Sequence, residues 1–151
     1  MTGLDVAAGV IAVVELSAKV AMLCVQYSRA VATAKSDITR LKEQIDQVRN
    51  VFDEVNRLLD GNDGASLKAS QKVRKGVDAC LSQVAAIERK MNVGKGRKAI
   101  SRIGHALSWP FTRQEVDKII QELRASEDMI ALALQVDTAY VEMSRSLNIV
   151  L

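Results

Sequence analysis

Residues 36–60 read SDITRLKEQIDQVRNVFDEVNRLLD, and their apolar side chains recur at steps of three and four residues. Charged and amide side chains occupy most of the positions between them. This spacing forms one apolar face on an α-helix, with the 3.5-residue period of a coiled-coil seam. We therefore expect a helix over 36–60 with Ser36 as its N-cap. Its seam, which should pack against other helices, comprises Ile38, Leu41, Ile45, Val48, Phe52, Val55 and Leu59.

The chain of 151 residues is predicted to be one all-α domain. Hydrophobic residues make up 48% of it and aromatic residues 3%, and alternating β-type patterns are scarce, which excludes a sandwich or barrel. The pattern predicts a four-helix bundle with a short extra connector helix and alternating helix directions. Its expected parts are an apolar helix within 1–34, a second helix over 36–60, a third over 66–91, a basic connector over 94–111 with a short helix at 99–107, and a final helix over 112–147.

The start of the final helix has the sharpest local signal. Pro110 cannot continue a preceding helix, so the chain must break there. Thr112 and Glu115 match a capping box, and Phe111 and Val116 occupy the positions of a hydrophobic staple. We expect a structural role for five residues: Trp109, Pro110, Phe111, Thr112 and Glu115.

The other boundaries are marked more weakly. Gly61 suits the left-handed position after the second helix. The sequence GKGR at 94–97 matches neither a P-loop nor a dinucleotide fingerprint, so we expect a flexible hinge. The final helix either continues to the end of the chain or breaks near Tyr140.

The net charge of +3 is distributed unevenly. Seven Lys and Arg residues and no acidic residue lie between Arg89 and Arg113, which leaves fourteen basic against eighteen acidic residues elsewhere. This basic segment (89–113) favours an anionic partner, although a solvated loop beside the bundle has the same composition. Nucleic acid is disfavoured, because aromatic residues that could stack on bases are scarce. For anionic membrane lipids, the expected headgroup contacts are Lys95, Arg97, Lys98 and Arg102.

The amino-terminal segment has the length and composition of a membrane span. Seventeen of the twenty residues 6–25 are apolar or glycine, and as a helix they would extend about 30 Å. Glu15 and Lys19 interrupt it, but they lie four residues apart and can pair on one helical face. Two interpretations remain open: a buried bundle helix, or a helix capable of conditional insertion. In the second case the inserting side chains would be Leu4, Val6, Val10, Ile11, Val13, Val14, Leu16 and Val20.

Residues that could support catalysis are few. His105 is the single histidine, and no catalytic motif, cofactor fingerprint or CxxC metal spacing is present, so we expect neither an enzyme nor a cofactor or metal site. Cys24 and Cys80 stand among apolar residues at helical spacing and are expected to be core side chains. Asp5 lies where a signal peptide has basic residues, which favours a cytoplasmic protein.

Three segments together resemble the HeLo-like (HELL) domains at the amino terminus of fungal STAND/NLR proteins: GLDVAAGVIAVVELSAKV, SDITRLKEQIDQVRNVFDEVNRLL and RIGHALSWPFTRQEVDKIIQELRASED. The resemblance implies a bundle related to the cell-death domains of the necroptotic pseudokinase and of plant coiled-coil receptors. It further implies self-association driven by an NLR or amyloid-motif sensor, followed by permeabilisation of the plasma membrane through Leu4 to Val25. The alternative is a non-lytic module for homotypic or partner docking.

Overall fold

The computed structural model describes the backbone of residues 3–60, 71–100 and 108–150, and side chains within 6–60, 71–92 and 108–135. These residues form four α-helices, so the predicted all-α four-helix bundle is confirmed. The short connector helix falls largely in 101–107, outside the described residues. The helices are α1 (Gly3–Ala30), α2 (Lys35–Leu59), α3 (Gln71–Ile100) and α4 (Arg113–Val150).

Each helix packs on two others in a square arrangement. The α1 helix contacts α2 and α3, and α4 contacts the same two helices; within the described ranges the diagonal pairs make no close backbone contacts. Contacts between Tyr27 and Met91 and between Lys19 and Glu88 follow the same order along α1 and α3, so these neighbours are parallel. The helices alternate in direction as predicted, and α2 and α3 lie at opposite corners of the square.

The core lies where the apolar faces of the four helices meet. All seven predicted seam residues of α2 are buried, at 0–1% exposure, which confirms the periodicity argument. They pack with valines of α1, with one face of α3 and with the first half of α4 in a single cluster. Among the described side chains, the buried hydrophobic residues of α3 and α4 are Val73, Val77, Cys80, Val84, Ile87, Met91, Val116, Ile120, Leu123, Ile130 and Ala133.

Two glycines allow neighbouring helices to approach closely. A Cβ at Gly9 of α1 would lie 2.8 Å from Cγ1 of Val77, and a Cβ at Gly76 of α3 would lie 2.5 Å from Cγ1 of Ile130. Both distances are shorter than non-bonded carbon atoms tolerate. Gly76 lowers helix propensity, but the close approach of α3 to α4 explains why glycine is present there.

Two boundary predictions are wrong. The α2 helix begins at Lys35, and Ala34 takes the N-cap position without a side-chain cap. The turn after α1 already brings the Ala34 carbonyl oxygen within 2.9 Å of the Ile38 nitrogen, so Ser36 lies inside the helix. The expected hinge at 94–97 is helical, because α3 continues to Ile100. Each glycine costs about 1 kcal/mol relative to alanine in a helix, and the neighbouring lysine, arginine and alanine residues are good helix formers.

The structure decides where α4 ends, whereas two other boundary predictions are not tested by it. The α4 helix continues to Val150 without the alternative break near Tyr140. The predicted start of the third helix near Ser66 and the terminal role of Gly61 both lie outside the described residues.

Candidate membrane-active helix and its attachments

The α1 helix buries one face against α2 and α3. Of the eight residues predicted to insert into a membrane, Val6, Val10, Val13 and Val20 are buried in the core at 0–2% exposure. Val14 and Leu16 are half-buried against the same core cluster, and Ile11 is 48% exposed. Leu4 belongs to the helical backbone, with its side chain outside the described set. In this state, therefore, the bundle and not solvent surrounds most of these side chains.

The outer face of α1 mixes large apolar side chains with polar ones, which include the exposed Gln26 and Arg29. Ile11 and Met22 are large apolar side chains that are 48% and 66% exposed, and Ala8 is exposed on the same helix. Its exposed charged side chains include Glu15 and Lys19. A surface helix of a globular protein normally has a continuous polar face, and α1 has one only in part.

Lys19 makes an interhelical ion pair. Its spacing from Glu15 allows the two to pair within α1, and in the structure the Lys19 Nζ lies 2.8 Å from Oε1 of Glu88 on α3. The Glu88 carboxylate is 12% exposed, so Lys19 compensates a largely desolvated charge. The pairing depends on the register of α1 against α3, which local spacing does not determine.

The cysteines are confirmed as core residues. Cys24 and Cys80 are free thiols with 0% exposure. Burial raises the pKa of each thiol to about 12, because the thiolate would lose its hydration. Both side chains are therefore protonated and unreactive while the bundle is closed.

The carboxyl-terminal end of α1 is attached by an aromatic cluster of Tyr27, Trp109 and Phe111. The buried Tyr27 hydroxyl donates a hydrogen bond to the Met91 carbonyl oxygen at 2.7 Å, and burial raises its pKa. The Trp109 ring meets the rings of Tyr27 and Phe111 edge to face, with both centroid distances at 5.3 Å. Trp109 Nε1 is buried and has no hydrogen-bond partner among the described residues.

The predicted capping box at the start of α4 is confirmed. The Glu115 amide donates to Thr112 Oγ1 at 3.1 Å, and the Thr112 amide donates to Glu115 Oε1 at 3.0 Å. Lys90 of α3 lies 5.0 Å above the Phe111 ring and pairs with Glu115 at 2.5 Å. The hydrogen bond from Lys90, followed by the Thr112 amide, lowers the pKa of Glu115. The half-buried Pro110 therefore leads directly into the start of α4, which is held by its own capping box and by Lys90 of α3.

The structure describes the basic segment in part. Arg89 is exposed, Lys90 pairs with Glu115, and Arg113 Nε lies 3.5 Å from Asp37 Oδ1. The four residues predicted to contact lipid headgroups lie beyond the described side chains. Lys95, Arg97 and Lys98 are on the helical backbone of α3, and Arg102 is outside the described residues.

A buried polar cluster between α2 and α4 was missed by the sequence analysis. Glu127 is 6% exposed and accepts hydrogen bonds from Gln44 Nε2 at 3.0 Å and Gln47 Nε2 at 3.2 Å. Arg124 donates to the Gln44 side-chain oxygen at 3.2 Å. Burial is the largest effect on Glu127 and raises its pKa. The available signal was its position four residues after Leu123, which places it on the buried face of α4.

A shallow, largely apolar groove lies between α3 and α4 in the described part of the surface. Its volume is about 300 Å³, at the lower limit for small-molecule pockets, and its lining includes Ile87, Lys90, Phe111 and Ile119. Lys90 already pairs with Glu115 at its edge. Within the described part of the chain, no group of three or more His, Cys, Asp or Glu side chains could hold a metal ion.

By length and composition alone, the described residues include one helix able to cross a membrane. The most apolar window of Val6–Ala30 has a mean hydropathy of 2.0, and 39% of that window is buried. Core helices of soluble proteins and signal sequences can be equally long and apolar. Comparisons of the chain with protein-family models, curated proteins and solved structures find no match.

Proposed function

We propose that this chain is a membrane-targeting effector domain whose α1 helix exchanges its bundle neighbours for lipid when the domain self-associates. The observation that carries the proposal is the outer face of α1, where Ile11 and Met22 remain exposed on a helix of membrane-spanning length. By the resemblance to HeLo-like domains, the setting would be programmed cell death in a fungal NLR-type system. The protein would move from the cytoplasm to the plasma membrane, and permeabilisation would follow.

The energetics of α1 favour a conditional exchange over a spontaneous one. Its valines are apolar, and lipid surrounds them about as well as the bundle core does. Glu15 and Lys19 each cost about 2.5–3.5 kcal/mol in the middle of a membrane helix. Lys19 must also give up its ion pair with Glu88, which then keeps the Asn92 side-chain amide as its hydrogen-bond donor. A single domain should therefore stay closed. Contacts between inserted helices must supply the free energy that offsets these insertion costs.

Anionic lipids would bring the domain to the membrane before α1 leaves the bundle. Each Lys or Arg near an anionic surface contributes about 1 kcal/mol of attraction. In the basic segment, Arg89, Lys90 and Arg113 are all exposed, and Lys90 and Arg113 also have carboxylate partners. Lys95, Arg97, Lys98 and Arg102 remain the proposed headgroup contacts.

The alternative function is a non-lytic docking module that self-associates or binds a sensor. Met129 and Leu132 favour it, because these α4 side chains are 46% and 63% exposed and lie outside α1. A docking module has no need to release α1. The two functions therefore differ in one observable, which is whether self-association makes vesicles leak.

Dye-filled vesicles with and without anionic lipid test the proposal on the whole chain fused to a chemically inducible dimerisation domain. We expect leakage from anionic vesicles only after the dimeriser is added, and much weaker leakage from zwitterionic vesicles. The matched control is the dimerisation domain alone. Dimerisation without leakage or vesicle binding would support the docking module instead.

A further inference from the structure

The two halves of α1 are held in the bundle by different kinds of contact. Before Lys19, the buried described side chains are Val6, Val10, Val13 and Ser17, and the Ser17 hydroxyl has no hydrogen-bond partner among the described residues. This half therefore has weak directional attachment. Its apolar contacts are equally available in lipid.

The second half of α1 has directional contacts to α3 and to the segment before α4. Lys19 pairs with Glu88 of α3, and the Tyr27 hydroxyl donates to the Met91 carbonyl oxygen. Trp109 packs its ring edge-to-face with Tyr27 from the segment before α4. Through Phe111 and the capping box, this attachment continues into the start of α4.

We infer that α1 opens from its amino-terminal half and pivots about the aromatic cluster, which stays closed. This inference rests on the proposed function and specifies how α1 leaves the bundle. From Gly3 to Met22 the helix has about 30 Å of length, enough for the hydrocarbon core, and this span ends before Tyr27. Tyrosine and tryptophan side chains favour the membrane–water interface, so the pivot would lie at the headgroup level.

Two buried positions in α1, one with a natural thiol and one where a thiol can be introduced, distinguish opening of the first half from opening of the second. Val13 and Cys24 both have 0% exposure, one in each half of the helix. Cys24 lies six residues from the end of α1 at Ala30, and Val13 lies ten residues from its start at Gly3. Simple fraying of the helix ends would therefore expose Cys24 first, whereas the pivot exposes residue 13 first.

The experiment measures the rate at which N-ethylmaleimide modifies each thiol in solution, by mass spectrometry. One variant is Cys80→Ala, which leaves Cys24, and the other is Val13→Cys with both natural cysteines replaced by alanine. We expect residue 13 to react at least tenfold faster than Cys24. Equal rates, or faster reaction at Cys24, would overturn the pivot. If circular dichroism shows that Val13→Cys does not fold, Val10→Cys takes its place, since Val10 also has 0% exposure.

Weakening the aromatic cluster gives a second readout. Tyr27→Phe removes the hydrogen bond to Met91 and should accelerate the modification of Cys24 about 2- to 12-fold. The same substitution should change the modification rate at residue 13 by less than about twofold, since that rate does not require the cluster to open. An equal acceleration at both positions would contradict the pivot, because it would show that α1 opens as one unit.

Failure of the pivot and failure of the proposed function can be told apart. Modification of residue 13 at least tenfold faster than that of Cys24, together with an absence of leakage after dimerisation, would contradict membrane permeabilisation and leave the pivot supported. Leakage together with equal modification rates would support permeabilisation and overturn the pivot.

Discussion

A lysine on the outer face of α1 should block insertion without unfolding the bundle. Ile11 is suited to this change, because it is 48% exposed and lies near the middle of the span from Gly3 to Met22. In the closed bundle the new ammonium group stays in water. Substitutions at exposed positions usually change stability by less than about 0.5 kcal/mol, and the partial burial of Ile11 raises that limit to about 1 kcal/mol.

The cost in the membrane is much larger. A lysine at the centre of a membrane helix costs about 2.5–3.5 kcal/mol, and isoleucine contributes about 0.3–0.6 kcal/mol of favourable transfer that would be lost. The insertion equilibrium of Ile11→Lys should therefore weaken by about 3–4 kcal/mol, which is on the order of 10²–10³-fold.

Leakage of anionic vesicles after induced dimerisation measures this effect. Met129→Lys on α4 is the matched control, because Met129 is 46% exposed and the change in charge is the same. Both variants should unfold in urea at nearly the same concentration as the natural chain. Leakage should be lost in Ile11→Lys and retained in Met129→Lys. If Ile11→Lys leaks as fast as the natural chain, α1 does not cross the bilayer.

Three further predictions concern charge, capping and pH. Replacing Lys95, Arg97, Lys98 and Arg102 with glutamine should weaken binding to anionic vesicles at low salt by about 4 kcal/mol, as measured by vesicle co-sedimentation; unchanged affinity would exclude electrostatic docking through these residues. Thr112→Ala should lower stability by about 1 kcal/mol and Tm by about 2–4 °C in calorimetry, while Thr112→Ser keeps most of the stability, and equal losses in both would show that the cap hydroxyl is unimportant. The pKa of Glu127 is raised by burial above its ordinary value of 4.5, so the folded state holds this proton more tightly and the contribution of Glu127 to stability declines as pH rises through the raised pKa. Urea unfolding should therefore show Glu127→Gln gaining stability relative to the natural chain between pH 4 and pH 7, and a constant difference would contradict the assigned shift.

Features that depend on local sequence were predictable. The seam from Ile38 to Leu59 follows from period alone, and all of its residues are buried. The capping box of Thr112 and Glu115 needs only a three-residue separation, so the sequence contains all the information for it. The helix count follows from the same kind of local pattern.

Features that depend on how helices pack were missed or mistaken. Local spacing offered Glu15 as a partner for Lys19, whereas the parallel register of α1 and α3 brings Glu88 within 2.8 Å of it. Tyr27 and Trp109 are 82 residues apart, and no local period connects them. The cap at Ala34 depends on the turn geometry that follows α1, which the side-chain preference of Ser36 does not reveal.

The depth of residue 11 in the bilayer is the most direct measure of whether α1 enters lipid. An environment-sensitive fluorophore would be attached to the cysteine of Ile11→Cys, in a chain with both natural cysteines replaced by alanine. The same label on Met129→Cys would serve as the reference. After induced dimerisation on anionic vesicles, quenchers attached to lipid acyl chains should reduce emission from residue 11 and leave residue 129 unchanged. Emission from residue 11 that responds only to a water-soluble quencher, before and after dimerisation, would show that α1 stays outside the hydrocarbon core.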